Sequence, residues 1–231
     1  MPMLSSTIAA AQASGARVLL PGTIYNYGPD AFPVLREDSP QHPLTRKGAI
    51  RVDMERALRD AARSGVRSLV VRAGDFFGPA AGNNWFSQGL VKPGRPVSSI
   101  TCPGRNGVGH SWAYLPDLAQ TMVQLLERES TLALFETFHF RGHWDANGGE
   151  MVEAIRRVIG NPSAPVRKFP WLVVTLASPF VTLFREMMEM RYLWKEPLRL
   201  SNERVVQVLG AEPHTPLDVA VRTTLEGLGC L

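Results

Sequence analysis

The spacing of apolar residues predicts alternating helices and short buried strands in the first third of the chain. Residues 3–14 form a helical pattern that ends at Gly15. The run "ARVLLPG" (16–22) is short and apolar throughout, which is typical of a strand buried on both faces of a parallel sheet. Residues 49–65 place apolar side chains on one helical face, and "VRSLVVRAG" (66–74) repeats the buried-strand pattern. This order of elements predicts an α/β fold with a parallel sheet.

The second half of the chain predicts a mixture of loop, strand and helix. Residues 79–110 are rich in Gly, Pro, Asn and Ser, and they predict loop with one short strand within "RPVSSITC" (95–102). Four further elements are expected, namely helices over 115–129, 145–160 and 214–229 and a strand over 134–142.

One uncharged segment, "FPWLVVTLASPFVTLF" (169–184), raises the question of a membrane. It has no charge over sixteen residues, which is fewer than the roughly 20 residues needed to span a bilayer. We therefore expect no membrane span, but a buried or interfacial helical region, interrupted at Pro179, that lines a pocket or a subunit contact. A homodimer is one alternative that this leaves open. The Met-rich and aromatic continuation predicts core, with Arg191 and Trp194 as candidates for a substrate-facing edge.

Composition and charge narrow the classes of function. The chain has 231 residues and a net charge of +4, but its basic residues are scattered, so a nucleic-acid surface is not expected. The two cysteines, Cys102 and Cys230, exclude a disulfide framework and favour a reducing, cytoplasmic compartment. The first twenty residues lack the charged start of a signal peptide.

Four segments carry a resemblance to a known family. In chain order they are "LLPGTIYNYG" (19–28), "RKGAIRVDMERAL" (46–58), "VVRAGDFFGP" (70–79) and "HSWAYLPDLAQTMVQLLE" (110–127). They resemble the Ser/Thr-bearing strand end, the Y-x-x-x-K helix, the "R-x-x-N-x-Y-G-P" strand end and the "V-D-D-x-A" helix start of the extended short-chain dehydrogenases/reductases. These are the NAD-dependent epimerase/dehydratase proteins. The resemblance covers residues 1 to about 128 and is looser beyond.

The resemblance implies a Rossmann-type doubly wound parallel sheet that lacks its first βαβ unit, with a smaller mixed α/β substrate region. Residues 1–95 would be the remainder of the NAD(P)-binding domain and 96–231 the substrate-binding region, with 112–140 returning to the Rossmann sheet. No G-x-G-x-x-G turn follows a strand here. We therefore expect the segment that grips adenine and pyrophosphate to lie outside these residues, so this chain alone would hold NAD or NADP weakly.

The resemblance also implies catalytic roles. Thr23 stands where the family has the hydroxyl that donates a hydrogen bond to the reacting oxygen. Lys47 and Arg51 stand where the family has its tyrosine and lysine. A buried lysine next to a cation can exchange protons near neutral pH, whereas arginine stays charged and can only hold oxygen atoms. The alternatives are that both are solvated charges at a helix start, or that Tyr25 or Tyr27 supplies the phenol.

Further residues are candidates for binding. The cofactor-binding candidates implied by the resemblance are Ala73, Gly74, Asp75 and Phe76. The substrate-binding candidates are Tyr25, Asn83, Asn84 and His110. An ordinary strand exit and ordinary turn chemistry are the structural alternatives. "GHSWA" (109–113) differs from a G-x-S-x-G nucleophile elbow in its last residue and context, so we interpret His110 as a loop residue that could reach substrate.

The sequence thus favours an atypical NAD(P)-dependent epimerase/dehydratase or reductase that acts on a sugar-nucleotide-like or other small polar carbonyl or hydroxyl substrate. The alternative is a non-catalytic nucleotide-sensing or protein-binding module that kept the fold but lost the Tyr-x-x-x-Lys pair.

Overall fold

The computed structural model describes residues 2–82 and 84–231. The helices are α1 (Pro2–Ser14), α2 (Arg46–Ala61), α3 (Leu115–Glu127), α4 (Glu150–Val158), α5 (Trp171–Ala177), α6 (Thr182–Met190), α7 (Glu203–Leu209) and α8 (Leu217–Gly227). The strands are β1 (Val18–Gly22), β2 (Val34–Leu35), β3 (Ser68–Arg72), β4 (Asp75–Phe77), β5 (Ile100–Cys102), β6 (His110–Tyr114), β7 (Phe135–His139), β8 (His143–Asp145), β9 (Val166–Lys168) and β10 (Arg199–Leu200). Short 3-10 turns lie at Pro29–Ala31, Ala62–Ser64, Glu129–Thr131 and Arg191–Trp194, and a π-helical segment at Phe86–Leu90.

The chain divides into two compact units. The first unit comprises Met1–Ala73, Leu118–Phe140 and Leu200–Pro213. The second unit comprises Gly74–Asp117, Arg141–Arg199 and His214–Leu231.

A three-stranded parallel sheet in the order β1-β3-β7 forms the centre of the first unit. All five residues of β3 are buried, as expected for a parallel strand that is covered on both faces. One face packs against α1 and α2 through a cluster that contains Leu4, Ala11, Val18, Leu58, Val66 and Val70. The predicted α/β fold with a parallel sheet is therefore confirmed.

The second unit holds two small sheets around its own core. In one, β6 pairs in parallel with β4 and antiparallel with β8, and in the other β5 pairs in parallel with β9. The core includes Phe77, Phe86, Trp112, Ile155 and Leu225, which brings together the strands and the helices α4 and α8.

Most of the strands that sequence patterns did not predict are very short, and β2 and β10 have two residues each; the five-residue strand β6 and the helix α7 were not predicted either. The strands β4, β8 and β9 have three residues each, and three residues are too few to show a period of two. The strand expected within 95–102 is present as β5. The helix expected over 145–160 begins only at Glu150, because β8 ends at Asp145 and a turn over 146–149 separates the two elements.

The uncharged segment forms two helices, α5 and α6, on either side of Pro179. Helicity with an interruption at this proline is confirmed. Burial, one of the two alternatives for this segment, is wrong for most of its apolar side chains, although Val174 is 3% exposed. The interfacial alternative stays a prediction. Within the described ranges 2–82 and 84–231, no helix is long and apolar enough to cross a membrane.

Candidate active site

The loop that follows β1 presents a hydroxyl at the carboxyl end of a parallel strand. Thr23 directly follows Gly22, the last residue of β1, and is half-buried. Its Oγ1 lies 3.4 Å from Asn26 Oδ1 and 3.4 Å from the Tyr25 backbone N–H. Both contacts are long, so the hydroxyl keeps most of its capacity to donate to another oxygen.

A buried network of charged and polar side chains attaches this loop to α2 and β3. Glu55 of α2 accepts from the Arg72 guanidinium at 3.0 Å (Nε to Oε1) and 2.5 Å (Nη2 to Oε2). Asn26 Nδ2 donates to Glu55 Oε1 at 3.0 Å, and Arg72 Nη1 donates to the Tyr27 hydroxyl at 2.6 Å. Arg72 and Tyr27 have no exposed surface and Glu55 is 4% exposed. The loop is therefore anchored on α2 and β3 through a bidentate ion pair.

Tyr27 is part of this anchor and is not available as a base. Burial raises the pKa of its phenol well above the usual value, despite the nearby Arg72 cation. The hydroxyl also lies 3.0 Å from Nε2 of the buried His139. A fully buried, neutral phenol cannot exchange protons with a substrate, so the structure argues against Tyr27 as the source of the missing phenolate.

His139 is held as a neutral imidazole. Arg72 Nη1 lies 3.0 Å from its Nε2 and can only donate, so Nε2 accepts and Nδ1 donates to the Leu35 carbonyl at 3.3 Å. Burial, with the Arg72 charge, lowers the pKa of His139 to about 3. In the second unit, burial lowers the pKa of His143 to about 4.

Acidification is expected to destabilise the fold between about pH 6.5 and pH 3. In this window the unfolded histidines, with an ordinary pKa of about 6.5, bind protons that folded His139 and His143 do not. The free energy of unfolding therefore falls as the pH falls, and the full contribution of these residues is present above pH 6.5. Urea unfolding at pH 7.5 and pH 4.5 measures this change. The free energy of unfolding should fall less between these two pH values in His139→Gln than in the wild type. An equal loss in both proteins would contradict the account.

Lys47 and Arg51 lie one turn apart at the start of α2, and both are half-buried. Thr45 caps this helix, because its Oγ1 accepts from the Gly48 N–H at 3.0 Å. A Cβ at Gly48 would overlap the Tyr25 carbonyl, so the first turn of α2 packs directly on the loop that contains Thr23. The structure thus brings the Thr23 loop and the Lys47 turn together within the first unit.

The four cofactor-binding candidates fall on two different units. Ala73 follows β3 and is buried at the end of the first unit, whereas Gly74, Asp75 and Phe76 begin the second unit. Asp75 Oδ2 lies 2.8 Å from Nε2 of His110, and Phe76 is half-buried.

His110 is not a loop residue as predicted, because it begins the buried strand β6. Its ring stacks on Trp194 with 3.8 Å between the centroids and 7° between the planes. It lines a cavity of only about 20 Å³, which has room for about one water molecule. The pairing with Asp75 was not expected, since it joins positions 35 residues apart.

Gly74 is explained by close packing within the second unit. A Cβ there would overlap the Ser111 carbonyl and lie 2.8 Å from the Ser111 Cβ. Gly74→Ala is therefore expected to lower the free energy of unfolding by about 1–3 kcal/mol, measured by urea denaturation. Gly82→Ala is the matched control, because a Cβ at Gly82 meets nothing within 4 Å, and its effect should stay within about 0.5 kcal/mol. Equal stability of both variants would contradict this.

The remaining substrate candidates have local roles or lie outside the described residues. Asn84 Nδ2 donates to the Ala81 carbonyl at 2.6 Å and its Oδ1 accepts from the Ser87 N–H at 2.8 Å. Its amide thus stabilises a local turn, which was the structural alternative to substrate binding. Asn83 lies outside the described residues. Tyr25 is half-buried beside Gly48.

A cationic cavity in the second unit was not predicted. It has a volume of about 540 Å³ and no acidic residue among its described lining residues. The cations that line it are Arg105, Arg167, Lys168, Arg191 and Lys195. Phe169, Trp171 and Trp194 add aromatic rings, and the Arg191 guanidinium carbon lies 5.2 Å from the Trp171 ring centroid.

Only part of this cavity could be recognised from the sequence. Arg191 and Trp194 stood out as edge residues, but the other cations lie far away in the chain. The Trp194 indole N–H is buried and has no hydrogen-bond partner among the described residues. Cations and flat rings without a carboxylate suit an anionic ligand that carries a planar group.

Comparison with known proteins establishes the fold. No protein-family model matches the sequence, and no curated protein matches it. Solved structures do. UDP-glucuronic acid 4-epimerase from Bacillus cereus, in complex with UDP-glucuronic acid and NAD, superimposes with a TM-score of 0.72 at 14% identity, over 97% of this chain and 65% of that chain. This chain has an NAD-dependent epimerase fold.

Other solved structures share the epimerase fold. L-threonine 3-dehydrogenase from Trypanosoma brucei matches with a TM-score of 0.69 at 16% identity, over 99% of this chain and 67% of that chain. RMD from Pseudomonas aeruginosa, complexed with NADPH, matches with a TM-score of 0.67 at 17% identity, over 98% of this chain and 71% of that chain. The chain thus spans about two thirds of the length of these neighbours.

The residues at the carboxyl end of the sheet carry hydrogen-bond donors and cations, which are the groups that the oxygen atoms of a nicotinamide dinucleotide require. Thr23 offers a hydroxyl with weak internal contacts, and Lys47 and Arg51 carry cations at the start of α2, whose first turn packs on the backbone of the same loop at Tyr25. Ribose and phosphate oxygens accept from such donors. By contrast, the missing side chain of Gly74 is accounted for by Ser111, so that glycine does not by itself indicate a cofactor.

Proposed function

We propose that this chain is an NAD(P)-dependent oxidoreductase of the epimerase or dehydrogenase kind. One observation carries the proposal: the epimerase fold extends over 97% or more of the chain in the neighbours described, and a hydroxyl, Thr23, stands at the carboxyl end of β1. In open α/β sheets, ligands bind at the carboxyl ends of the strands.

The cofactor in this proposal is NAD or NADP. The B. cereus epimerase structure contains NAD and the P. aeruginosa structure contains NADPH. Here Ala73 would leave space for the nicotinamide end, and Arg51 would hold ribose or phosphate oxygens as a permanent cation. When bound, the nicotinamide supplies the acceptor or donor of a hydride.

The protein's own contribution is to bind the reacting oxygen and move a proton. The Thr23 hydroxyl donates a hydrogen bond to the substrate oxygen, and this bond strengthens as negative charge develops there. Lys47 takes up the proton of the substrate hydroxyl when a hydride is removed, or returns it in the reverse direction. The buried Glu55–Arg72 pair holds the loop rigid, so that the donor is in place before substrate binds.

The substrate in this proposal is sugar-nucleotide-like. The cationic cavity within the second unit supports this, because arginines and lysines bind phosphate and the half-buried ring of Trp171 suits a planar base. The B. cereus neighbour is in complex with UDP-glucuronic acid, a ligand with these two features.

The proposal is tested by an activity screen of the full chain. The protein is incubated with NAD or NADP and a panel of nucleotide sugars and of simple alcohols and carbonyl compounds. Absorbance at the wavelength of reduced nicotinamide reports dehydrogenation, and proton NMR of the sugar reports epimerisation. We expect turnover with at least one nucleotide sugar, and no turnover with any compound would contradict an enzymatic role.

A second candidate function is a non-catalytic binding module. It is favoured by the replacement of the family's tyrosine and lysine by Lys47 and Arg51, and by the burial of Tyr27. In that case nucleotide sugars would bind without turnover, and Thr23→Ala would leave their affinity unchanged.

A further inference from the structure

The helical pair α5–α6 exposes a set of apolar side chains that we call the apolar tip. Its members are Leu172, Val173, Leu176, Phe180, Val181 and Leu183, with exposures of 73, 59, 69, 89, 39 and 60%. They occupy the outer face of α5, the linker that contains Pro179 and the start of α6. Large exposed apolar side chains that are grouped on one helical pair mark an interaction surface.

The charged residues that border the apolar tip in the sequence are all positive. Residues 169–184 contain no charge, and the first charged residues on either side are Lys168 and Arg185. Arg167 adds a second cation next to Lys168, and all three are exposed. The nearest acidic residues, Glu186 and Glu189, come after Arg185 on α6 and are half-buried.

We propose that the apolar tip inserts into the interfacial layer of an anionic lipid bilayer. Apolar side chains enter the boundary between headgroups and acyl chains, and the flanking cations bind the negative headgroups. Interfacial helices lie in the plane of the bilayer surface with their apolar face buried roughly 5–10 Å deep, and the exposed Leu172, Val173 and Leu176 give α5 such an apolar face. Phe180, the most exposed member, lies in the linker between the two helices.

The border charges favour lipid over a second copy of this chain. A symmetric contact centred on the apolar tip would bring Lys168 and Arg185 of both copies to one shared rim. Like charges at an interface oppose association. An anionic surface instead satisfies the apolar residues and the cations together.

The test is co-sedimentation of the full chain with sonicated vesicles of phosphatidylcholine and increasing fractions of phosphatidylserine. We expect binding that rises with the phosphatidylserine fraction and weakens as salt is raised from 0.05 to 0.5 M, because salt screens the headgroup contacts. Phe180→Ser and Leu183→Ser should each weaken binding about tenfold, through lost apolar burial. Arg185→Glu should weaken it several-fold by reversing a border charge.

Leu44→Ser provides the matched control, because Leu44 has the same 60% exposure as Leu183 but lies in the first unit. It should bind vesicles like the wild type. Absence of binding at every phosphatidylserine fraction would overturn the proposal. So would sedimentation velocity without lipid, if it showed a wild-type dimer that Phe180→Ser dissociates, because the apolar tip would then contact a second copy.

Discussion

Replacing Glu55 by glutamine is expected to lower the free energy of unfolding by about 3–5 kcal/mol, because it leaves a buried guanidinium without its counterion. Arg72 has no exposed surface, and the amide NH2 of glutamine would face Arg72 Nη2 at the position where Oε2 now accepts a hydrogen bond. The amide oxygen of glutamine can still accept the hydrogen bond that Asn26 Nδ2 donates, so the loss is chiefly that of the ion pair. Urea denaturation followed by circular dichroism measures the change.

Asp53→Asn is the control for this prediction, because it removes an ion pair from the same helix at an exposed position. Asp53 Oδ1 lies 3.0 Å from Arg56 Nη1, and both side chains are more than half exposed. Exposed pairs of this kind contribute about 0–1 kcal/mol. If Glu55→Gln were no more destabilising than Asp53→Asn, the buried network would not anchor the Thr23 loop as argued.

Replacing Thr23 by alanine is expected to lower kcat/KM by about 10²–10³-fold, the usual effect of removing one hydrogen-bond donor to a developing oxyanion. Thr23→Ser keeps the hydroxyl and should retain most of the activity. The measurement uses whichever nucleotide sugar the activity screen identifies, with kcat and KM determined separately. The internal contacts of the Thr23 hydroxyl are both 3.4 Å long, so neither variant should lose much stability.

The Thr23 variants also separate the two candidate functions. Loss of kcat with unchanged stability supports the donor role. If Thr23→Ala kept the kcat/KM of the wild type, Thr23 would have no role in the chemistry. If the wild type showed no turnover, and wild type and Thr23→Ala bound the nucleotide sugar with equal affinity, the binding module would be favoured.

The parts of the fold that sequence patterns predicted are those whose signals are local. β1 is an apolar run that ends at Gly22, and β3 has an apolar centre and is followed by Ala73 and Gly74, so both their existence and their parallel arrangement followed from the pattern. The location of Thr23 at a strand end followed from the same pattern. The helical pattern over 49–65 predicted α2, which begins three residues earlier, at Arg46.

The buried network could not be predicted, because its members are brought together only by tertiary structure. Tyr27 and His139 are 112 residues apart, and Arg72 and Glu55 come from different elements. A partial signal existed, since Arg72 ends an apolar strand and Glu55 lies beside Met54 on the inner face of α2. Two opposite charges in apolar surroundings indicate a pair, but not which groups join it.

His110 was misplaced for a related reason. The glycines before it predicted a loop, whereas its burial depends on pairing of β6 with β4 and β8 and on the ring of Trp194. The cationic cavity likewise collects residues from Arg105 to Lys195 that no short window contains.

The central claim is that the carboxyl ends of β1 and β3 bind a nicotinamide dinucleotide. It is tested most directly by a two-dimensional ¹⁵N NMR titration of the full chain with NADH and with NADPH, a method that also detects weak binding. We predict saturable shifts of the backbone amides of Thr23, Lys47 and Ala73 with at least one of the two. Shifts that are absent there, or that are confined to the lining of the cationic cavity, would contradict the claim.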